Sequence, residues 1–447
     1  MTVFRIDAST RRVGDGRVVI GGSPLRLFRL TDAGARLFDR FERGEDVTAN
    51  VLVDKLLDAG VIHPRPTPWK TPELVSVVIP AYNPSMEVMQ RLVVQCGDVA
   101  LLVIIDDCSS TPIPPISGAI VIRQPTNQGP AAARMTGLDE ITTPFVVFVD
   151  TDVQLDDGWL PALCAHFADE RVAAVGPRMA SLAGPSLLQR YEATNSPLDL
   201  GGLAARVLAG SRVSYLPAAV LACHVSALRE VGGFDPTLRF GEDVDLVWRL
   251  TAAGFRVRYE PSVVAHHFPR PSWRLALKQR YDYGTSAAPL EQRHPGSLAP
   301  VRINRWSFIS WTIGAAGWPV IGTAIAGLTT AMLMRKLRSI PDGPKEALRL
   351  AGLGHLYAGR SIAAALTRAW WPITAVAMLL SKRARCVAAL AAMVPGVLDW
   401  RSKRPDVHPV AYSALRLADD VAYGTGVLVG CVRQRSFACI KPELTTQ

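Results

Sequence analysis

The chain is poor in charge and makes no ordered use of cysteine. Lys, Arg, Asp and Glu make up 20% of its 447 residues, against 49% hydrophobic, which is a globular composition. The seven cysteines are Cys96, Cys108, Cys164, Cys223, Cys386, Cys431 and Cys439. They are scattered, odd in number and form no C-x-x-C pair. That excludes a disulfide framework or zinc site and fits reduced thiols in the cytosol. Zinc-finger spacing, a basic helix and aromatic–basic repeats are also missing, so nucleic acid is not an expected partner. The opening "MTVFRIDAST" is charged early and lacks an apolar core, so it is not read as a signal peptide. The charge that is present is mostly basic, with a net +10. Such an excess suits an anionic ligand or an anionic membrane surface.

The length allows two or three domains, and three regions separate. Residues 1–63 read as a small α+β module. "RVVIGGSPLRLFRL" predicts a hairpin around Gly21-Gly22. Thr31 is placed to cap a helix ending at Gly44, and Thr48 to open a second ending at Gly60. So small a module buries little surface and is expected to lean on its neighbour. A proline-rich linker, residues 64–74, follows.

From 75 to 270 the runs "VSVVIP", "ALLVIID", "AIVIRQ", "PFVVFVD" and "AAVGPR" are short, β-branched and apolar on both faces. Helix-like segments lie between several of them. This is the pattern of an α/β domain with a mostly parallel sheet covered on both sides. Ligands of such sheets bind outside the carboxyl ends of the strands. Asn83, Asp106, Asp107, Asp150 and Asp152 all follow these runs. Asp150 and Asp152 share a face by strand alternation. Two adjacent carboxylates repel unless a cation sits between them, and hard oxygen ligands suit Mg2+ or Mn2+.

Two more motifs carry polar chemistry. "NQGPAAARMTGL" puts Gly129 at a tight turn before a helix that carries Arg134, an arrangement that favours phosphate. In "FGEDVDLVWRL" helical spacing turns Val244, Val247, Trp248 and Thr251 to the core. Glu242 and Asp243 then fall in the first turn, and Asp245 is expected at the surface. "VVAHHFP" ends a strand with His266 and His267, of which alternation puts one on the cleft side.

In this order and spacing, "VSVVIPAYN", "VIIDDCS", "NQGPAAARMTGL", "FVDTD", "GGFDPTLRFGEDVDLVWRL" and "VVAHHFP" resemble the inverting family-2 glycosyltransferases of the GT-A fold. Cys108 stands where that family usually has glycine. The resemblance implies a nucleotide-sugar pocket built from Pro80, Tyr82, Asn83, Asp106, Asp107, Arg134 and Asp150. It implies a metal held by Asp150, Asp152 and a histidine, with His266 favoured over His267. It also implies that Asp243, beside Glu242, deprotonates the acceptor in one inverting displacement. The Q-x-x-R-W motif of processive polysaccharide synthases is missing, since the corresponding stretch reads "LKQRYDYG".

The first 63 residues resemble PqqD-type winged-helix peptide-recognition domains. Front, middle and tail together are similar to the glycosyltransferases of mycofactocin biosynthesis. That implies transfer of glucose from UDP-glucose onto a peptide-derived redox-cofactor precursor, giving a short oligoglucoside. The alternative is a membrane-bound glycosyltransferase for cell-wall polysaccharide or lipid acceptors. A non-catalytic scaffold is disfavoured by the intact Asp150, Asp152 and Asp243.

Residues 271–447 read as apolar and helical. Trp306–Met334 carries no charged residue and is long enough to span a bilayer. Arg302 and Arg305 flank one end, and Arg335, Lys336 and Arg338 the other. Basic flanks on both sides lack the asymmetry of a simple crossing, so in-plane or re-entrant attachment is expected. "AWWPITAVAMLL" and "CVAALAAMVPGVL" are too short to span alone, and burial in a soluble core remains open for them. The expected location is the cytoplasmic face of the cell membrane.

Overall fold

A computed structural model describes residues 2–68, 71–97 and 99–445. The chain divides into two compact units. The first comprises residues 1–12, 16–183 and 195–269, and the second 13–15, 184–194 and 270–447.

The first unit begins with β1 (Thr2–Ile6), β2 (Arg11–Val13), β3 (Val18–Gly21), β4 (Arg26–Arg29), α1 (Asp32–Glu42), β5 (Asp46–Val47), α2 (Val51–Ala59) and β6 (Ile62–Arg65). β3 and β4 form the expected hairpin. β1 pairs antiparallel with both β5 and β6. Thr31 caps α1, its Oγ1 accepting from Gly34 N at 3.2 Å. Asn50, rather than Thr48, caps α2, its Oδ1 accepting from Leu52 N and Val53 N at 3.0 Å. Gly60 ends that helix in the left-handed region. Pro64 and Arg65 belong to β6, so the linker starts later than its composition suggests. Its Trp69 and Lys70 lie outside the described residues.

This module has its own core of Phe4, Val19, Phe38, Phe41, Leu56 and Ile62. Apart from residues 13–15 it falls in one compact unit with the sheet that follows, and ion pairs fasten it there. Arg256, nearly buried, donates to Asp54 and Asp58 of α2 and to Asp169 at 2.6–2.8 Å. Arg212 reaches Asp7, which also accepts from or pairs with His63 at 2.8 Å.

The main sheet is built from β7 (Val75–Ala81), β8 (Leu101–Asp106), β9 (Ile120–Arg123), β10 (Phe145–Val149), β11 (Val153–Leu155), β12 (Val172–Ser181), β13 (Ala205–Arg206), β14 (Val220–His224) and β15 (Arg256–His267). Their order is β11-β15-β12-β14-β10-β7-β8-β9, with β13 on β15. β10, β7, β8 and β9 run parallel, as do β12 and β15. β14 runs antiparallel between the two sets. Every residue of β7 and β10 is buried, as near-continuous apolar strands require. β9 is the exception: it sits at the sheet edge and leaves Ile120 and Arg123 exposed. The helices used below are α3 (Met86–Cys96), α4 (Pro130–Asp139), α5 (Trp159–Cys164), α6 (Leu187–Asn195), α7 (Val225–Glu230) and α8 (Glu242–Ala252).

The second unit is helical, with α9 (Trp273–Thr285), α10 (Ala287–Arg293), α11 (Arg305–Ala315), α12 (Pro319–Leu337), α13 (Gly343–Thr367), α14 (Trp371–Leu380), α15 (Lys382–Lys403) and α16 (Pro409–Gln434). The uncharged stretch from Trp306 is two helices, not one, broken at Gly317 with φ +105°. Pro319 opens the second, where its missing N–H costs nothing. Among the described residues α12 is the one helix long and apolar enough to cross a membrane, and α13 with α14 passes only as a pair bent by 85°. Inside the unit Arg280 is buried against Glu192 and Asp419, and Tyr191 also donates to Asp419. Two cysteines that look scattered meet here: the sulfurs of Cys431 and Cys439 stand 3.3 Å apart, unbonded.

Candidate active site

The site is built at the carboxyl ends of β7, β8 and β10. The strand ends are apolar and enclosed, so polar residues that follow them must find partners at once. Asp106 closes β8 with no exposed surface. Its Oδ1 accepts from Ser109 N at 2.8 Å, and its Oδ2 from Ile113 N and from Arg123 Nη1 at 2.6 Å. Asp107 accepts from Gln128 N and Gly129 N, both at 2.8 Å. These contacts hold the turn in which Gly129 adopts φ +91° ahead of α4. Asn83 bridges to the same region, accepting from Ser110 N and Oγ at 2.8 Å. Asp106 and Asp107, expected in the nucleotide-sugar pocket, both spend their carboxylates on holding loops. Pro80 is buried within β7, and Tyr82 is 56% exposed.

Cys108, between these loops, adopts φ +60°. Glycine enters that region without strain, whereas a side chain does not. This is the physical content of the departure noted in "DDCS".

Arg134 requires the largest correction. It is 3% exposed and is not presented to a phosphate. Its Nη2 donates to Asp150 Oδ1 at 2.7 Å and its Nη1 to Glu242 Oε1 at 2.8 Å. The guanidinium lies over the Phe234 ring, 5.2 Å from its centroid. Burial opposes its charge, and the two carboxylates more than restore it, so its pKa is raised.

A backbone relay runs alongside. Asp150 N donates to Ala219 O at 2.9 Å, while Ala218 N donates to Asp243 Oδ2 at 3.2 Å. Asp150 and the Glu242-Asp243 pair are thus joined twice, once through Arg134 and once through the start of β14. Asp243 is half-buried in the first turn of α8, where its Oδ1 also accepts from Val244 N at 2.8 Å. Its pKa is pushed up to about 7, by burial first and then by the charge of Glu242, against Arg134 and the two amides. Asp150 keeps about a third of its side chain open to solvent. Its pKa is nonetheless raised, by desolvation and by the charge of Asp152, with Arg134 working the other way.

Asp152 pairs with His267, Oδ2 to Nε2 at 3.0 Å. His266 points away and stands 3.6 Å from Asp156. The choice of His266 is therefore corrected to His267. β11 and β15 pair antiparallel with Val153 opposite His267, and the period of two sends His266 to the other face. Among the described residues no group of three or more His, Cys, Asp or Glu is arranged to hold a metal by itself.

Asp245 was expected at the surface and is fully buried. It pairs with Arg249 at 2.8 Å, one helical turn on. Arg249 also donates to Gly233 O at 2.6 Å and to Val231 O. The pair pins the Gly232–Phe234 turn whose phenyl ring supports Arg134. Along α8 the buried positions are Glu242, Asp245, Leu246, Val247, Trp248 and Leu250, while Val244 is only half-buried. Thr251, the other residue expected in the core, is likewise half-buried. A separate hollow of about 360 Å³, lined by Gln95, Leu155, Asp156 and Trp159 among others, contains none of Asp150, Asp152, Glu242 and Asp243.

A mixed sheet with carboxylates at its strand ends, split between a D-x-D and a helix N-terminus, defines an α/β glycosyltransferase. The family described as Glycosyl transferase family 2 matches residues 76–215, which leaves Glu242, Asp243 and His267 outside the matched stretch. The chain is 40% identical over 99% of its length to the "Pre-mycofactocin glycosyltransferase" of Mycobacterium tuberculosis (strain ATCC 25618 / H37Rv), covering 97% of that protein. It belongs to the pre-mycofactocin glycosyltransferase family. An uncharacterized glycosyltransferase of Haemophilus influenzae is 24% identical over 40% of this chain and 62% of that protein. Among solved structures, a mannosyltransferase from Pyrobaculum calidifontis in complex with GDP-Man and Mn2+ covers 78% of this chain and 90% of its own, at TM-score 0.37 and 15% identity.

Proposed function

We propose that this glycosyltransferase moves glucose from UDP-glucose onto pre-mycofactocin with inversion at the anomeric carbon, and builds a short oligoglucoside. One observation carries the mechanism: Asp243, half-buried with a raised pKa, follows Glu242, which shares the Arg134 guanidinium with Asp150. The acceptor rests on the end-to-end likeness to the M. tuberculosis protein of that name.

Asp243 takes the proton of an acceptor hydroxyl as its oxygen attacks the anomeric carbon. The carbon–oxygen bond to the diphosphate breaks in the same displacement, and UDP leaves. A base with a pKa near the working pH is matched to this step. Asp150, Asp152 and His267 suit Mg2+ or Mn2+, since carboxylate oxygens dominate the set and such ions complete their shells with substrate phosphates. A bound ion would supply counter-charge to the leaving diphosphate. Asn83, Asp106 and Asp107 act by shaping the loops beside the donor, and Tyr82 is exposed enough to contact it.

Residues 1–63 are proposed to be the PqqD-like part that recognises the peptide-derived acceptor. They are held through Arg256 of β15 and through Arg212, in the loop that follows β13. Deleting them should reduce transfer more than donor hydrolysis, because a binding module raises local acceptor concentration without touching the chemistry. Equal loss of both rates together with a lower melting temperature would assign them a purely supporting role.

The deciding experiment is a donor and acceptor screen with the purified full chain and Mg2+ or Mn2+, read by mass spectrometry. A hexose mass added to pre-mycofactocin from UDP-glucose supports the reading. Transfer only to lipid or polysaccharide acceptors would replace it with the cell-envelope alternative.

A further inference from the structure

The second unit leaves many large apolar side chains exposed, among them Trp318, Val320, Ile373, Leu379 and Leu380. Gly322 is the one buried residue described in the 19-residue α12. α14 has no buried residue at all, so burial in a soluble core does not account for "AWWPITAVAMLL". Two turns hold the three most exposed large apolar side chains described in this unit, Leu380, Leu379 and Val320. The α11–α12 turn presents Trp318 and Val320, the latter 80% exposed. The α14–α15 turn presents Leu379 and Leu380, 82% and 83% exposed.

Arg383 ties the two turns together by donating to Ala316 O. Gly317 makes this possible, because a Cβ there would meet the Arg383 guanidinium. Arg385 donates to Met378 O at 3.0 Å. Lys382, Arg383 and Arg385 are all exposed, so an apolar apex carries a basic rim. The charge balance points the same way. Residues 301–404 hold fifteen Lys and Arg against three Asp and Glu, an excess greater than the +10 of the whole chain. All of the protein's net positive charge therefore lies in the segment with the uncovered apolar helices.

We propose that this apex, Trp318, Val320, Leu379 and Leu380 with their basic rim, docks the protein on an anionic lipid leaflet at the cytoplasmic face of the cell membrane. Apolar side chains enter the acyl boundary while Lys382, Arg383 and Arg385 meet lipid phosphates. A second copy of the chain fits less well, because it would bring one basic rim against another. The inference is independent of which sugar or acceptor the enzyme uses.

Flotation with large unilamellar vesicles tests it, using the full chain diluted from detergent. Vesicles of phosphatidylcholine alone are compared with vesicles containing 30% phosphatidylglycerol, a composition on the order of a natural anionic leaflet. Binding to the anionic vesicles should be about tenfold or more the stronger, and salt should narrow the gap. Leu379→Asp with Leu380→Asp should abolish flotation on both. Lys382→Gln with Arg385→Gln should remove the preference and leave residual binding to neutral vesicles. Both double variants lie far in sequence from Asp150 and Asp243, so a thermal unfolding transition in detergent matching that of the parent shows that they fold. Normal flotation of the leucine variant, or equal wild-type binding to both vesicle types, would overturn the proposal. So would a discrete oligomer in solution that ignores vesicles, which would make the apex an interface between copies.

Discussion

Arg134 and Glu242, 108 residues apart in the chain, share a 2.8 Å hydrogen bond inside the site. The other arm of the same guanidinium holds Asp150. One cation therefore holds Asp150 and the chain neighbour of Asp243 at once.

Replacing it should be costly. Arg134→Met leaves Glu242 buried without its counter-charge and Asp150 without its partner. Breaking such a pair by removing one member costs about 3 kcal/mol, the low end of the usual range because Asp150 is partly open to solvent. Denaturant unfolding should register that loss. Arg134→Lys keeps the charge but cannot reach both carboxylates, and should fall between. An Arg134→Met protein as stable as the parent would show that the clamp contributes nothing.

Asp243→Asn preserves shape and removes the proton acceptor. Turnover should fall by roughly 10²–10⁴-fold with UDP binding almost unchanged, the range for loss of a general base. Normal turnover would make Asp243 a helix cap and send the mechanism to another group.

With Asp243 as the base, its raised pKa should set the pH dependence of the parent enzyme. The base works only when deprotonated, so kcat/KM for the acceptor should climb with pH and level off above about 7. Glu242→Gln removes the second cause of the shift, the adjacent negative charge. The rising limb should then move to lower pH. An unmoved limb would mean that the titrating group is not Asp243.

The two histidines separate cleanly. His267→Ala should weaken Mn2+ binding about 10–100-fold, the usual scale for losing one member of a metal's surroundings. His266→Ala should leave it close to the parent value. Titration of Mn2+ in the presence of UDP measures both. A larger loss with His266→Ala would reverse the present assignment.

Cys108 supplies a stability test away from the chemistry. Cys108→Gly relieves the positive φ and gives back part of the gain as unfolded-chain entropy. The net should be a stabilisation of about 0.5–1 kcal/mol. A drop in melting temperature would mean that the thiol packing matters more than the backbone.

Local chemistry was legible in the chain itself. Apolar runs of β-branched residues predicted strands, and Phe145–Val149 and Val75–Ala81 are the buried parallel pair at the heart of the sheet. Thr31 announced a helix start because a cap bonds only three residues ahead. The order of the motifs was enough to indicate the family. Tertiary structure decided what stands opposite each group. Strand alternation says that one of His266 and His267 faces the cleft, but only the register of β15 against β11 says which. Asp245 in the first turns of a helix looks solvent-facing, yet packing of α8 buries it against Arg249. Arg134 after a glycine turn looks like a phosphate ligand until Asp150 and Glu242, 16 and 108 residues away, are folded against it. Helical and strand periods extend over a few residues, whereas a buried charge is settled by whichever distant partner the packing delivers.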